Sequence, residues 1–148
     1  MERNIEKKFG YQVGMVAHLY HNLSNERLAH FDITVAQARV LYILVQHGPQ
    51  TQVELQQQLY VKASTMTGII DSLLSKSLIG KADSEQDKRA KIITVTDKGK
   101  ELDQKIWEDM SDMEEKILAG FSKEELALFK FWLSKVKDNI CKLNEGGE

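Results

Sequence analysis

Short polar side chains lie on one face of a helix that the sequence predicts from about Ala63 to Ser77. The predicted buried side of this helix consists of Met66, Ile69, Ile70 and Leu73. A rotation of about 100° per residue then puts small polar residues on the opposite side; they are Ser64, Thr67, Gly68, Asp71 and Ser75. Side chains of this size let a helix lie deep in the major groove of DNA while hydroxyls reach base edges. A helix face that is merely solvated has the same appearance, and this face alone does not separate the two interpretations.

Basic side chains flank this helix in the sequence. Lys62 precedes it and Lys76 lies near its end, and four more basic residues follow in a predicted β-hairpin: Lys81, Lys88, Arg89 and Lys91. Such residues bind phosphates on either side of a groove, and an arginine at a hairpin tip fits a narrow, negatively charged minor groove. Because a run of surface charge is usually only solvated, the informative pattern is the basic hairpin next to the small polar helix.

Positive charge is concentrated in the middle of the chain, although the net charge of the 148 residues is −2. Residues 62–100 carry eight basic and five acidic side chains, whereas residues 101–148 carry seven and twelve. This distribution favours one defined nucleic-acid-binding part over non-specific binding by the whole chain.

Local signals place these residues in a series of helices and one hairpin. Three capping boxes mark helix starts; they are Thr34 with Gln37, Thr51 with Glu54, and Ser122 with Glu125. The second box opens a short helix from Gln52 to about Leu59, and after a turn the next helix begins, which is the helix-turn-helix arrangement. Residues 91–96 are rich in β-branched side chains and predict a strand of the two-stranded hairpin, after which Thr96 begins a further helix.

Both ends of the chain carry long helical patterns with apolar stripes. The first comprises Ile5, Phe9, Val13, Val16, Tyr20 and Leu23, and the last comprises Leu126, Phe129, Leu133, Val136, Ile140 and Leu143. Spacings of three and four residues form a seam that packs against a partner helix. The sequence therefore predicts one domain over residues 1–148, with dimerisation helices in 1–31 and 101–148 and a DNA-binding part in 32–100.

Residues 34–100 resemble the MarR family of bacterial winged helix-turn-helix regulators. The matching stretches are residues 34–41, 51–55 and 64–67, Leu73 followed by Leu78-Ile79, and residues 87–99. The last stretch is similar to the family's wing signature, in which Asp-x-Arg precedes extended apolar residues and Thr-x-x-Gly. The flanking helices resemble the family's dimerisation region in length and order. The fold class expected is mainly α, with a winged helix-turn-helix core, a two-stranded β-hairpin wing, and long N- and C-terminal dimerisation helices.

The resemblance implies roles for individual residues. Arg89 corresponds to the wing-tip arginine that enters the minor groove, and Asp87 to the acid that braces it through an ion pair. Ser64, Thr65 and Thr67 are expected to contact bases or phosphates. Two positions depart from the family pattern, because Gly68 stands where members often have a basic residue and Ser77 where a glycine usually ends the recognition helix.

Many members of that family bind small aromatic or lipophilic acids between the dimer helices and the DNA-binding part. The residues expected to line such a cleft are Met15, His18, Leu19, Tyr20, Tyr42 and Trp107. Aromatic residues and methionines at helical spacing are more often ordinary core, so both interpretations stay open. No cofactor is expected, and no metal site either, since the four histidines lack carboxylates or cysteines at a convincing spacing.

Catalysis is not expected from this sequence. It contains no nucleophile elbow, no Gly-rich phosphate loop and no paired cysteines, and its single cysteine is Cys141. No apolar run approaches the ~18 residues of a membrane span and the N-terminus is charged, so a cytoplasmic protein is expected. The prediction is a DNA-binding regulator, more often a repressor, that acts as a homodimer on a pseudo-palindromic operator. The alternative is a winged-helix adaptor for protein interactions that no longer binds DNA.

Overall fold

The structure is a computed structural model that describes residues 3–146. Within them, a turn of 3₁₀-helix at Ile5–Lys7 precedes a mainly helical chain. In chain order the elements are α1 (Phe9–Ala29), α2 (Val35–His47), β1 (Gln50–Thr51), α3 (Gln52–Leu59), α4 (Ala63–Ser75), β2 (Ile79–Asp83), β3 (Lys91–Val95), α5 (Asp97–Ile117) and α6 (Lys123–Glu145). The predicted fold class is confirmed. No helix of the described segment has both the length and the apolar character that a membrane crossing requires.

The capping boxes begin helices where the sequence predicts them. The side-chain oxygens of Thr34, Thr51 and Ser122 each accept a hydrogen bond from the backbone N–H three residues later, which starts α2, α3 and α6. The first helix differs from the prediction, because α1 begins at Phe9 and not at Ile5. The Asn4 side chain instead caps the separate 3₁₀ turn by accepting from the Glu6 N–H at 2.9 Å.

The hairpin belongs to a sheet of three strands, one more than predicted. In the order β1-β3-β2, both neighbouring pairs are antiparallel. The additional strand, β1, is only two residues long, and it pairs Gln50 with Ile93 and Thr51 with Ile92 of β3. It connects the start of α3 directly to the wing, so the wing and the helix-turn-helix share backbone hydrogen bonds.

Of the described residues, those up to Ser111 form one compact unit, and those from Asp112 onward form a second. The core of the first unit contains fully buried side chains from α2, α3, α4 and β3, among them Leu41, Leu55, Ile70 and Ile93. In the second unit, α6 has no buried residue along its 23 positions. The single domain over residues 1–148 stays a prediction.

Helix α4 ends in a Schellman motif at Ser77. Ser77 takes φ 58°, its N–H donates to the Leu74 carbonyl at 3.0 Å, and the Leu78 N–H donates to the Leu73 carbonyl at 3.1 Å. Burial of both Leu73 and Leu78 completes the motif. The left-handed conformation at a serine explains why α4 stops at Ser75, two residues before the predicted end.

Candidate nucleic-acid interface

The two faces of α4 are divided as the sequence predicts. Met66, Ile69, Ile70 and Leu73 are buried. The predicted opposite face is exposed; it consists of Ser64, Thr67, Gly68, Asp71 and Ser75, and Thr65 at its edge is exposed as well. A Cβ added to Gly68 would meet nothing within 4 Å, so the backbone is uncovered there. The Gln37 amide of α2 donates to the Ser72 hydroxyl at 2.9 Å and helps to hold α4 against the core. The exposed face is therefore small, polar and carried by a well-packed helix.

Thr67 makes a contact that the sequence analysis did not predict. Its hydroxyl donates to the Ala63 carbonyl at 3.0 Å and accepts from the Gln52 side-chain amide at 3.2 Å. The single hydroxyl hydrogen is used inside the helix, which leaves the oxygen only as an acceptor. Gln52, the first residue of α3, thus joins the candidate interface through Thr67. No local signal predicts this contact, because Gln52 and Thr67 lie 15 positions apart in different helices.

The basic residues around α4 differ in their environments. Lys62 lies exposed at the N-cap of α4. Lys76, at the other end, donates to the Asp32 carbonyl and forms an ion pair with the Asp32 carboxylate at 3.7 Å. To reach a phosphate, Lys76 would have to leave this partner, whereas Lys62 would not.

The wing loop between β2 and β3 is organised by Ser84 and Asp87. The Ser84 N–H donates to the Ala90 carbonyl at 3.0 Å, which closes the loop. The Asp87 carboxylate accepts from the Arg89 backbone N–H at 2.9 Å. The resemblance implies a side-chain ion pair between Asp87 and Arg89. In the structure, the Asp87 carboxylate instead bonds to the backbone N–H of Arg89. An Asx-type turn of this kind sets the direction of the loop and leaves the guanidinium exposed.

Charge on the wing is divided between paired and unpaired residues. Lys91 forms an ion pair with Asp83 across the β2–β3 pairing. Lys88 and Arg89 are exposed, and within residues 3–146 neither takes part in an ion pair. These two residues are the wing cations best placed for an external anion.

The wing is fixed to the end of α4 by Thr96 and Gly99. The Thr96 N–H donates to the Leu78 carbonyl at 3.1 Å, and its hydroxyl donates to the Ser77 carbonyl at 2.8 Å. The same hydroxyl accepts from the Gly99 N–H at 3.1 Å and so caps α5. A Cβ at Gly99 would lie 2.1 Å from the Leu78 carbonyl oxygen, so only glycine fits. The Thr-x-x-Gly motif therefore connects the end of α4 to the wing and to α5.

Comparisons with known proteins agree with this geometry. The sequence model of the MarR family matches residues 33–91. The chain is 33% identical to the uncharacterized HTH-type transcriptional regulator YwoH of Bacillus subtilis (strain 168) over 119 aligned residues. The aligned region covers 80% of this chain and 86% of that protein. The chain belongs to the MarR family of transcription regulators. The resemblance found from the sequence is confirmed.

Two solved structures of MarR-family proteins with DNA are similar to this chain. One is a mutant of E. coli MarR complexed with operator DNA, with a TM-score of 0.77, 26% identity, and coverage of 90% of this chain and 99% of that chain. The other is the S. aureus MepR-DNA complex, with a TM-score of 0.75, 26% identity, and coverage of 93% and 99%.

The predicted ligand residues of this MarR-family chain are only partly brought together. Tyr20, Tyr42 and Trp107 line one cleft of about 370 Å³, whereas Met15, His18 and Leu19 do not line it. The rings of Tyr42 and Trp107 are stacked with centroids 5.9 Å apart and an interplanar angle of 10°. Residues that the sequence analysis missed also line the cleft, and four of them carry polar groups: His21, Ser24, Arg39 and Asp103. Within residues 3–146 no group of three or more His, Cys, Asp or Glu side chains is arranged to hold a metal ion.

Proposed function

We propose that this MarR-family chain is a sequence-specific DNA-binding repressor without catalytic activity, which acts as a homodimer on a pseudo-palindromic operator in the cytoplasm. The observation that carries the proposal is the exposed small polar face of α4, joined through Thr96 and Gly99 to a wing whose Lys88 and Arg89 are free of ion pairs in the described chain. The two similar structures with DNA, E. coli MarR and S. aureus MepR, support the same role.

The proposed contacts follow from the environment of each residue. Ser64, Thr65, Thr67 and Gly68 face the major groove, where short side chains let the helix backbone approach the bases. Lys62 and Lys88 bind phosphates, and Arg89 enters the minor groove. Lys76 and Lys91, which already have acidic partners, contribute mainly to the local positive field.

The proposed dimer uses the terminal helices. In α1, Phe9, Val13 and Val16 are exposed by 57%, 43% and 65%. Stripes of this size cost free energy in water and are stabilised when a second copy covers them. A two-fold dimer would present two copies of α4 to successive major grooves of the operator.

We propose further that a small aromatic effector binds the cleft lined by Tyr20, Tyr42 and Trp107 and weakens DNA binding. The cleft has the volume and the mainly apolar lining of small-molecule sites. An effector that releases DNA must bind the free protein more tightly than the DNA-bound protein, with a coupling of about 1–3 kcal/mol.

The test of DNA binding is footprinting on the DNA that flanks the gene, followed by fluorescence anisotropy over a range of salt concentrations. Arg89→Ala should weaken operator binding by about 1–3 kcal/mol per protomer while leaving the dimer folded. Lys105→Ala is the matched control, since it also removes one positive charge, but from α5, where Lys105 is paired with Glu101. Equal affinity of wild type and Arg89→Ala at moderate salt would remove the wing from the mechanism. Absence of any salt-dependent DNA binding would favour the adaptor role instead.

A further inference from the structure

The cleft beside α1, α2 and α5 contains a polar group that has no partner. The Ser24 side chain is 3% exposed and its hydroxyl has no hydrogen bond. A buried hydroxyl without a partner is costly, by about 1–3 kcal/mol in proteins. A ligand in the cleft that bonded to this hydroxyl would remove that cost.

The same cleft contains a carboxyl group that is partly removed from water. Asp103 of α5 lines the cleft, and within residues 3–146 its carboxyl has neither a hydrogen bond nor an ion pair. Burial raises the pKa of the Asp103 carboxyl above its ordinary value. Water stabilises this carboxylate less than it stabilises a fully exposed one. The carboxylate therefore gains more from a bound counter-charge than a solvated group would.

Arg39 carries the positive charge of the cleft that would favour an anion. The His21 imidazole also lines the cleft, where it packs edge-on against the ring of Tyr20. The Arg39 side chain is exposed, however, and water already solvates the guanidinium. A solvated, screened cation contributes little to ion pairing. The stacked rings of Tyr42 and Trp107 also favour positive charge, because the face of an aromatic ring is electron-rich.

We propose that the cleft binds an aromatic cation, whose amidinium or ammonium group pairs with Asp103 and bonds to the Ser24 hydroxyl while its rings contact Tyr42 and Trp107. This proposal rests on the proposed effector site and reverses the charge expected of the ligand, since the resemblance implied an acid. The carboxylate that decides the sign, Asp103, lies 61 positions from Tyr42 along the chain, and only the fold puts both into one cleft.

The experiment compares three probes of the same size that differ in charge: 2-naphthamidine, 2-naphthamide and 2-naphthoate. Their affinities for the dimer are measured by isothermal titration calorimetry at neutral pH. The cation should bind at least about tenfold more tightly than the anion, which corresponds to about 1.4 kcal/mol. Asp103→Asn should abolish this preference and leave the affinity for the neutral amide within about twofold, while Ser24→Ala should weaken both amide and amidine.

Two matched variants separate the roles of individual charges. Glu108→Gln makes the same change in net charge on the same helix, where Glu108 accepts from Gln104 outside the cleft, and should leave the preference for the cation intact. Arg39→Gln should leave the affinity for the amidine unchanged or raise it. None of these residues belongs to the proposed DNA interface, so each variant should bind the operator as wild type does when no probe is present.

The outcomes are distinct. Tighter binding of 2-naphthoate, lost in Arg39→Gln, would overturn the proposal in favour of an anion site. Binding of no probe, or the same preference in Asp103→Asn as in wild type, would also overturn it. A wild-type protein that does not bind DNA in the absence of any probe would instead contradict the proposed function. Failure of the cation proposal and failure of the proposed function can therefore be told apart.

Discussion

At the residue scale, Gly99 lies where the fold leaves no room for a Cβ. A Cβ at this position would lie 2.1 Å from the Leu78 carbonyl oxygen and 2.7 Å from the Val95 side chain. The carbonyl cannot move freely, because it already accepts from the Thr96 N–H at 3.1 Å. Glycine is thus required here by close approach of two backbones.

Gly99→Ala should lower the free energy of unfolding by about 2–3 kcal/mol, since the added methyl forces a backbone shift at the joint of α4, wing and α5. Urea denaturation followed by circular dichroism measures the change. Gly68→Ala is the control, because a Cβ there meets nothing within 4 Å. In a helix interior this second change should stabilise by about 0.5–1 kcal/mol. Equal effects of the two substitutions would contradict the steric explanation.

Gln52 and Thr67 should act as one unit in DNA binding. The Gln52 amide donates to the Thr67 hydroxyl, whose own hydrogen is donated to Ala63. We expect Gln52→Ala to weaken operator binding by about 1 kcal/mol in the wild type and to have little effect in a Thr67→Val background. A double-mutant cycle measured by anisotropy gives the coupling. Additive losses would show that Gln52 does not act through Thr67.

At the scale of elements, α4 depends on how its C-terminal end is closed. The Schellman motif places Ser77 at φ 58°, a conformation that costs an L-residue about 1–2 kcal/mol and glycine almost nothing. Ser77, one of the two residues that depart from the family pattern, is thus also a strained one. The motif forms despite the serine because the buried pair Leu73 and Leu78 stabilises it.

Ser77→Gly should raise the free energy of unfolding by about 1 kcal/mol, because it relieves the left-handed conformation. Ser75→Gly serves as the matched change at the last residue of α4, where backbone φ is ordinary, and should be destabilising by about 0.5–1 kcal/mol. Thermal denaturation of the two variants distinguishes them by sign. A destabilised Ser77→Gly variant would mean that the strain is compensated by contacts of the serine.

At the scale of the whole molecule, the terminal helices leave large apolar side chains exposed in a single copy. Along α6 no residue is buried, and Trp132, Leu133 and Ile140 are exposed by 57%, 47% and 49%. The exposure of Leu133 and Ile140 in a single copy agrees with the heptad-like spacing of the sequence. Both observations favour association of two chains through these helices.

Sedimentation velocity should therefore give twice the 16.9 kDa monomer mass at micromolar concentration. Leu133→Glu should shift the equilibrium toward monomer, because a charge would be buried without a partner in the dimer seam. Ser134→Glu adds the same charge at the next position of α6, about 100° around the helix, and should disturb the dimer less. A monomeric wild-type protein would contradict the dimer and, with it, the two-fold reading of an operator.

Much of the architecture follows from local signals in the sequence. The capping boxes at Thr34, Thr51 and Ser122 predict where three helices begin, and the β-branched residues 91–96 predict a strand of the hairpin. These signals work without the tertiary structure because each depends on residues a few positions apart within one element. The buried face of α4 was predictable for the same reason.

Contacts between distant segments were decided only by the tertiary structure. The sequence does not reveal that Lys76 pairs with Asp32, that Gln50 pairs with Ile93, or that Asp103 shares a cleft with Tyr42. The cleft takes Tyr20 and Ser24 from α1, which lie within about 40° of each other on the helix, while Met15 lies on nearly the opposite side. Apolar composition indicates that a residue can pack, but the rotation of a helix against its neighbours selects which residues meet.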